Sequence, residues 1–571
     1  MTKFAKLLAL ILALVVLFTS CDVLGGQSGT NTETSTTAST TTESTEYETQ
    51  EKSDPVDEQA LYRESISRSR EELEAMLTLT EQDFTDTQAK LEAFEALAVV
   101  SDDYDTVDAL YMDFEDAFYH LDTQVSIASI IYYLNMKDEA ASDRYLDSYD
   151  KFGDLYNAYI ESCKKAYEQS PIRDELFADW TEEEIKELFA YDPESQELRE
   201  ANEEILVELN EQTGPGADDR IAELYAQIVT NNNKIAELAG YDNYYTYASV
   251  EIYGRDYTAE DVATFRGYVL EYFVPKMDSL YNSWYNRYSK LSQYNSELML
   301  DFLYEPFDSM KENYLEGYIN SYEGSTKDGF NHMFENRNMV FTSSLNSHQS
   351  AFQTYLEELE TPFCLFGKNG QSTSSIAHEM GHYYAALYNP HVNSMDLAET
   401  QSQTNELLLL DYTKDALPRP VYSTLKGYSV YNFVIQSIVC VIIDEFEQKV
   451  YALDSVEGYG SAEFDAIMKE VCEQYGGITY VNSNITDMND YWRAVATNSP
   501  VYYISYATSM VESLNIFAIA CQDSAQGREM YRKLVEEVNE DDGFSGAISK
   551  IGLTSPFQKE TFDAISGLMT K

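Results

Sequence analysis

The chain has 571 residues, of which 99 are Asp or Glu and 38 are Lys or Arg, so its formal net charge is −61. A surface this acidic repels the phosphates of nucleic acids and anionic lipid headgroups, so the composition excludes both as binding partners. Hydrophobic residues make up 44% of the chain and aromatic residues 13%, which is enough apolar surface for a folded protein. The length allows one very large domain or two to four smaller ones.

The amino terminus has the three parts of a secretory signal. Two lysines precede an apolar run over residues 7–18, which is too short to span a bilayer as a permanent helix. The sequence LFTSC at 17–21 resembles the lipobox of bacterial lipoproteins. This resemblance implies a lipoprotein signal peptide over 1–21, a lipid on Cys21, and anchorage on the extracytoplasmic face of a bacterial cell membrane. An ordinary signal peptide with an incidental cysteine is the alternative.

The segment after the signal is predicted to be a disordered tether over residues 22–58. Ser and Thr occupy 14 of the 22 positions from 28 to 49, and no aromatic residue precedes Tyr47 there. Such a segment cannot build a core. By coil scaling it would hold a folded body about 35 Å from the membrane.

The rest of the chain is predicted to be mainly α, because apolar residues recur at helical spacing and Gly and Pro are few. We expect an N-terminal helical lobe over 59–213 and a larger region over 214–571, joined at the Gly-Pro-Gly sequence 214–216. The apolar run 433–443 is short and is followed by two acidic residues, which favours a buried core helix over a membrane span. The remaining cysteines are scattered, so no disulfide framework is expected.

One short motif points to chemistry. Two of the six histidines lie in the sequence HEMGH, where His378 and His382 are four residues apart. On a helix this spacing places both imidazoles on one face, within reach of a single Zn²⁺, and Glu379 projects beside a metal-bound water as a general base. The run 377–388 predicts such a helix, ended by Pro390. The alternative is a pair of histidines that only make hydrogen bonds within a buried core helix.

A catalytic zinc needs a third protein ligand and one open position. The metzincin pattern requires a histidine where this chain has Tyr388, so that pattern is excluded. His391 follows the helix-ending proline and is expected to be a surface loop histidine. The remaining candidates are Glu399 and Glu406, seven residues apart on one face of a second helix that is capped near 393–394. One can bind the metal while the other hydrogen-bonds a ligand from behind.

The HEMGH motif and the stretch AETQSQTNE at 398–406 resemble the paired active-site helices of oligoendopeptidase F and its thimet oligopeptidase relatives. The resemblance implies that Glu399 is the third zinc ligand. The seventeen-residue gap from His382 is shorter than is usual in the family, and spacing by itself points to Glu406. Three further segments are similar to family sequences: IAELAGYDNY at 235–244, DEFE at 444–447 and PVYYISYA at 500–507.

The same resemblance implies a large, mainly α, two-lobed metallopeptidase with a deep substrate channel, a catalytic domain over 214–571 and a small β region near the zinc site. Residues 361–367 would form the strand that lines the peptide groove. The resemblance implies that the hydroxyls of Tyr502, Tyr503 and Tyr506 stabilise the tetrahedral intermediate. From the residues alone, tyrosines in a chain this rich in Tyr are expected to serve as packing side chains rather than in catalysis. A histidine often precedes this segment in the family, but residues 484–506 contain none.

These observations predict a zinc endopeptidase with one Zn²⁺ per chain that hydrolyses short unstructured peptides and acts as a monomer. The acidic body would favour cationic peptides through their association rate. Two alternatives stay open: a dipeptidyl carboxypeptidase, because HEMGH also occurs in proteins that resemble angiotensin-converting enzyme, and a surface lipoprotein that binds peptide or metal without cleavage.

Overall fold

The computed structural model describes a nearly continuous body. It covers residues 63–569 except positions 179, 182–184, 186–187, 190–192, 213–216, 292–308, 393, 478–487, 489–490, 498 and 540–541. The predicted signal peptide, the lipid on Cys21, the tether over 22–58 and the joint at 214–216 lie outside the described residues. They stay predictions, as does the boundary between the two predicted lobes.

The first group of helices packs around an aromatic core. It comprises α1 (Arg70–Met76), α2 (Glu81–Ala98), α3 (Tyr104–Leu134), α4 (Glu139–Gln169) and α5 (Arg173–Leu176). Asp103 and Asp138 cap the two longest of these helices, each accepting a backbone N–H from the first turn. The rings of Phe114 and Tyr159 stack between the helices, and both of these side chains and that of Phe94 are fully buried, which removes a large apolar area from water.

The middle of the chain adds more helices and one small sheet. The helices are α6 (Pro193–Glu211), α7 (Ala217–Leu238), α8 (Tyr244–Tyr247), α9 (Ala259–Tyr268), α10 (Met277–Leu291), α11 (Ser309–Asn320) and α12 (Gly324–Glu335). The strands are β1 (Met339–Phe341), β2 (Ala351–Leu356) and β3 (Thr361–Phe366). The central strand β3 is parallel to β1 and antiparallel to β2, with Cys364 opposite both Met339 and Gln353. The strand predicted over 361–367 is therefore confirmed.

The last group of helices carries the largest core. It comprises α13 (Thr373–Ala386), α14 (Met395–Ala416), α15 (Arg419–Tyr451), α16 (Ser461–Gln474), α17 (Trp492–Val495), α18 (Tyr503–Ala520), α19 (Ser524–Glu536), α20 (Gly543–Lys550) and α21 (Lys559–Ser566). Buried apolar side chains from α15 and α18 form the centre of that core. The predicted mainly α fold with a small β region is confirmed.

Helix α15 has the length and apolar composition of a membrane span, the one such helix in the described part of the chain. Its apolar window is 72% buried inside the protein. Every residue from 437 to 443 is 0% exposed. The run 433–443 is thus the centre of a core helix, as predicted.

The described cysteines also agree with the sequence. Four of the five described cysteines, Cys163, Cys364, Cys440 and Cys472, are buried, at positions scattered along the chain. Their environment is apolar packing rather than a disulfide framework, so the core itself stabilises the fold.

Helix α14 packs between α13 and α18, and its backbone nearly touches that of α13. A Cβ atom at Gly381 would lie 2.6 Å from Ser402 Cα, so only glycine permits this approach. Nearby, Asn405 Nδ2 donates to the carbonyl oxygen of Ala377 across 2.6 Å. These two contacts fix how far the helices are offset along their axes, and they bring the motif face of α13 against the acidic face of α14.

Candidate metal centre

Helix α13 presents the two histidines of the motif on one face. Ser372 caps the helix by accepting the backbone N–H of Ser375 at 3.0 Å. The helix begins at Thr373 and ends at Ala386, so it starts before the predicted run 377–388 and stops two residues earlier. Within it, the Nε2 atoms of His378 and His382 are 3.2 Å apart.

Glu399 of α14 faces this pair of nitrogens. Ser394 caps α14 at the predicted place. The Oε2 atom of Glu399 lies 3.5 Å from Nε2 of His378 and 3.9 Å from Nε2 of His382. Ligands on a tetrahedral Zn²⁺ at about 2.0–2.1 Å stand about 3.4 Å from one another. The three side chains, whose ligand atoms all lie within 4.8 Å of one another, therefore fit such an ion.

Glu406 lies behind the site rather than in it. Its Oε1 atom is 2.7 Å from Nδ1 of His378, and its Oε2 atom accepts from Ser374 Oγ at 2.6 Å. A carboxylate on Nδ1 fixes the tautomer that leaves Nε2 free to bind a metal. Of the two candidate carboxylates, the structure thus groups Glu399 with the paired histidines and places Glu406 on the opposite nitrogen.

Glu379 is buried beside these groups. It is 2% exposed, and its Oε2 atom has no hydrogen-bond partner among the described residues. Its pKa is raised to about 7: burial is the largest cause, His378 lowers the pKa, and the charges of Glu399 and Glu406 raise it. A buried carboxylate oxygen without a partner is costly in a closed core, and it suits a position that faces water or substrate.

The ligand side chains are held in forms that suit a cation. Burial, and then the neighbouring His378, lower the pKa of His382 well below its ordinary value, so its imidazole is neutral. Burial raises the pKa of Glu399, while His378 and hydrogen bonds from Ser402 and Tyr506 lower it. The second oxygen of Glu399, Oε1, is buried without a partner among the described residues. A neutral imidazole and an incompletely satisfied carboxylate are donors of the kind that bind Zn²⁺.

The three predicted tyrosines divide into two groups. Tyr502 donates its hydroxyl to that of Tyr506 at 3.0 Å, and Tyr506 hydrogen-bonds Glu399. Tyr503 hydrogen-bonds Tyr491 instead and is 1% exposed. The structure thus connects two of the three phenols to the candidate ligand Glu399.

One sequence-based expectation about this region is wrong. His391 does lie in a turn, but it is 6% exposed, with Nε2 3.8 Å from Oε2 of Glu357. It is therefore a buried histidine beside an acidic residue, and it is not one of the grouped ligands. The position of His391 directly after Pro390 predicted the turn correctly. That position carries no information about which other segment of the chain covers the turn.

Sequence reasoning missed three supporting side chains. Ser374 contacts Glu406, Ser402 donates to Glu399 Oε2 at 3.2 Å, and Asn405 joins α13 to α14. Ser402 and Asn405 stand within the motif stretch at helical spacing from the glutamates, a signal that could have identified them. Nothing in the sequence near Ser374 indicates its role.

Comparison with known proteins gives a consistent picture of the fold. No protein-family model and no curated protein matches the chain. A solved structure described as an oligoendopeptidase F superposes with a TM-score of 0.66 at 17% identity, covering 85% of this chain and 96% of the other. A PZ peptidase A determined with an inhibitor gives 0.65 at 17% identity, covering 89% and 98%. A protein from Bacillus anthracis str. Ames, also described as an oligoendopeptidase F, gives 0.64 at 16% identity, covering 85% and 94%. The chain therefore has the helical fold that these peptidases share.

Proposed function

We propose that the protein is a zinc-dependent endopeptidase that hydrolyses short unstructured peptides. One observation carries the proposal: the HEMGH histidines and Glu399 converge within ligand distance, with Glu379 buried beside them, in a fold shared with peptidases. A purely structural pair of histidines would not need Glu399 beside it, a buried carboxylate with one oxygen that has no hydrogen-bond partner among the described residues.

His378, His382 and Glu399 would hold one Zn²⁺ per chain. When bound, Zn²⁺ supplies Lewis-acid polarisation of the scissile carbonyl and lowers the pKa of water. Glu379 accepts the proton of the attacking water and delivers it to the leaving amine. The hydroxyls of Tyr502 and Tyr506, which donate to Tyr506 and to Glu399 in this structure, would turn to donate towards the negative charge that develops on the carbonyl oxygen.

The location and the substrate preference belong to the same proposal. The signal sequence and its cysteine support a lipid anchor on Cys21 and a site of action outside the cytoplasmic membrane; the mass of the mature amino-terminal peptide tests this. The formal charge of −61 supports a preference for cationic peptides. The protein is proposed to act as a monomer, which its sedimentation tests.

The first prediction concerns Glu379. Replacing it with Gln, written Glu379→Gln, should keep about one Zn²⁺ per chain but lower peptide turnover by about 10² to 10⁴-fold, because the amide cannot accept the water's proton. Metal content is measured by mass spectrometry, and cleavage with a mixed peptide library with and without a chelator. Glu512→Gln is the matched control, since Glu512 is also fully buried with an unpartnered oxygen and contacts Asn515 instead of the metal site.

The outcomes separate the alternatives. Unchanged turnover in Glu379→Gln would contradict the mechanism. Removal of C-terminal dipeptides only would identify a dipeptidyl carboxypeptidase. Stoichiometric zinc without chelator-sensitive cleavage in the unaltered protein would favour a binding lipoprotein.

A further inference from the structure

The residue immediately before the tyrosine pair has an unusual backbone. Val501 has φ +64°, is 0% exposed and directly precedes Tyr502. A left-handed conformation is a genuine outlier for a β-branched residue, because its branched side chain crowds the backbone there. Such a conformation persists only where its surroundings enforce it, and it concentrates at functional sites.

Two buried ionisable side chains hold both backbone groups of Val501. Glu447 of α15 accepts the Val501 N–H through Oε1 at 2.8 Å. Arg255 donates through Nη2 to the Val501 carbonyl oxygen at 2.7 Å. The exposed fractions of Glu447 and Arg255 are 1% and 5%. We call this arrangement of Glu447, Arg255 and Val501 the valine clamp.

The cost of burying Glu447 indicates that the valine clamp has a purpose. Its Oε2 atom has no hydrogen-bond partner among the described residues, although it lines a 150 Å³ cavity whose walls include Tyr225, Val495 and Pro500. Burial raises its pKa to about 8. An apolar residue of similar shape would fill this place without the cost of desolvation. Among the described residues, the side-chain hydrogen bond of Glu447 is the one that it accepts from the Val501 N–H.

The valine clamp is connected to the metal site by two routes. Along the chain, Tyr502 donates to Tyr506, which hydrogen-bonds the ligand Glu399. Across the core, Arg255 donates to Ser505 Oγ at 2.9 Å, and Ser505 donates to Oδ2 of Asp396 at 2.9 Å. Asp396 lies in α14, three residues before Glu399. A change in the valine clamp would therefore displace both the phenols and α14, the helix that carries Glu399.

We propose that Glu447 and Arg255 are positioning residues that hold Val501 in its left-handed conformation and thereby fix the Tyr502 and Tyr506 phenols against Glu399. This inference deepens the proposed peptidase function and rests on it. The phenol rings are thus held beside the site before substrate arrives, so that only their hydroxyl protons need to turn as charge develops.

The test combines Glu447 variants with Tyr506→Phe. Glu447→Ala removes the acceptor for the Val501 N–H and should lower kcat by about 10²-fold with KM within about twofold, the size of loss expected from a misplaced catalytic group. Glu447→Gln should retain most of the wild-type kcat, because its amide oxygen accepts the same N–H. In the double variant Glu447→Ala/Tyr506→Phe the two losses should be far less than additive, since both act through the same hydrogen-bonded pair of phenols.

Three further variants keep the result interpretable. Glu512→Ala, the matched buried carboxyl, should lower stability without changing kcat. Val501→Gly in the Glu447→Ala background should recover part of the lost kcat, because glycine adopts φ +64° without help. Glu447→Asp withdraws the carboxylate by one methylene and replaces Glu447→Ala should that variant fail to fold.

Zinc affinity gives a readout that does not depend on turnover. Glu447→Ala and Tyr506→Phe should each weaken Zn²⁺ binding by about tenfold, and again less than additively, because Tyr506 supports the ligand Glu399. Chelator competition measures this even in a protein that cleaves no peptide, so failure of the proposed function is distinguishable. Additive losses in the Glu447→Ala/Tyr506→Phe double variant would contradict the proposed role of the valine clamp. So would a fall in kcat and zinc affinity in Glu512→Ala as large as that in Glu447→Ala.

Discussion

At the scale of single residues, one imidazole separates the roles of two carboxylates. His378 meets Glu399 through Nε2 at 3.5 Å and Glu406 through Nδ1 at 2.7 Å. The first carboxylate is positioned to share a metal with the histidine, and the second to orient the ring. Both are glutamates on one face of α14, so only the nitrogen that each one contacts distinguishes them.

Truncation should separate a ligand from its support. Glu399→Ala should abolish stoichiometric Zn²⁺ binding, because two histidines alone do not complete the site. Glu406→Ala should keep the ion with an affinity about 10- to 100-fold lower. Zinc titration with a competing chelator checks both variants. The reverse order of the two affinities would make Glu406 the ligand, as spacing along the sequence suggests.

At the scale of elements, the site depends on how closely α13 and α14 approach. Gly381 has no Cβ, and the space that a Cβ would need is filled by Ser402 Cα at 2.6 Å and Gln401 O at 2.9 Å. Backbone atoms cannot move aside as a flexible side chain does. Helix separation, and with it the distance from the histidines to Glu399, is therefore set at this glycine.

Gly381→Ala should push the two helices apart. We expect a loss of about 1–3 kcal/mol in the free energy of unfolding from overpacking, together with weaker zinc binding. Gly153→Ala in α4 is the matched control, because no atom lies within 4 Å of its added Cβ; this change should stabilise the helix by up to about 1 kcal/mol. Urea unfolding and zinc titration measure the effects. Unaltered zinc affinity in Gly381→Ala would show that the helix offset has another origin.

At the scale of the whole molecule, the net charge of −61 sets a long-range field around the site. Exposed charges of like sign act together over about 30 Å at 0.01 M ionic strength and over about 8 Å at 0.15 M. A field of this kind changes the rate at which charged substrates arrive rather than the chemistry after they bind. Its effect should therefore appear in kcat/KM and vanish with salt.

Matched peptides test this field. A peptide with basic residues flanking the cleaved bond should show kcat/KM about tenfold or more above an acidic counterpart at 0.01 M salt, with the ratio falling towards one at 0.5 M. A neutral peptide with the same central sequence is the control for ionic effects on the enzyme itself. Equal values for the basic and acidic peptides at low salt would reduce the charge to a contribution to solubility.

The sequence by itself determined what depends on local spacing. The four-residue spacing of His378 and His382 places them on one helix face. The short, mostly apolar run 433–443, followed by two acidic residues, indicated a buried core helix. Only the tertiary structure decided which glutamate joins the histidines, since that depends on the offset of two helices fixed by Gly381. Packing also decided the burial of His391. The valine clamp joins Arg255, Glu447 and Val501, far apart along the chain; its contacts and the left-handed backbone of Val501 are enforced by long-range packing that no local pattern encodes.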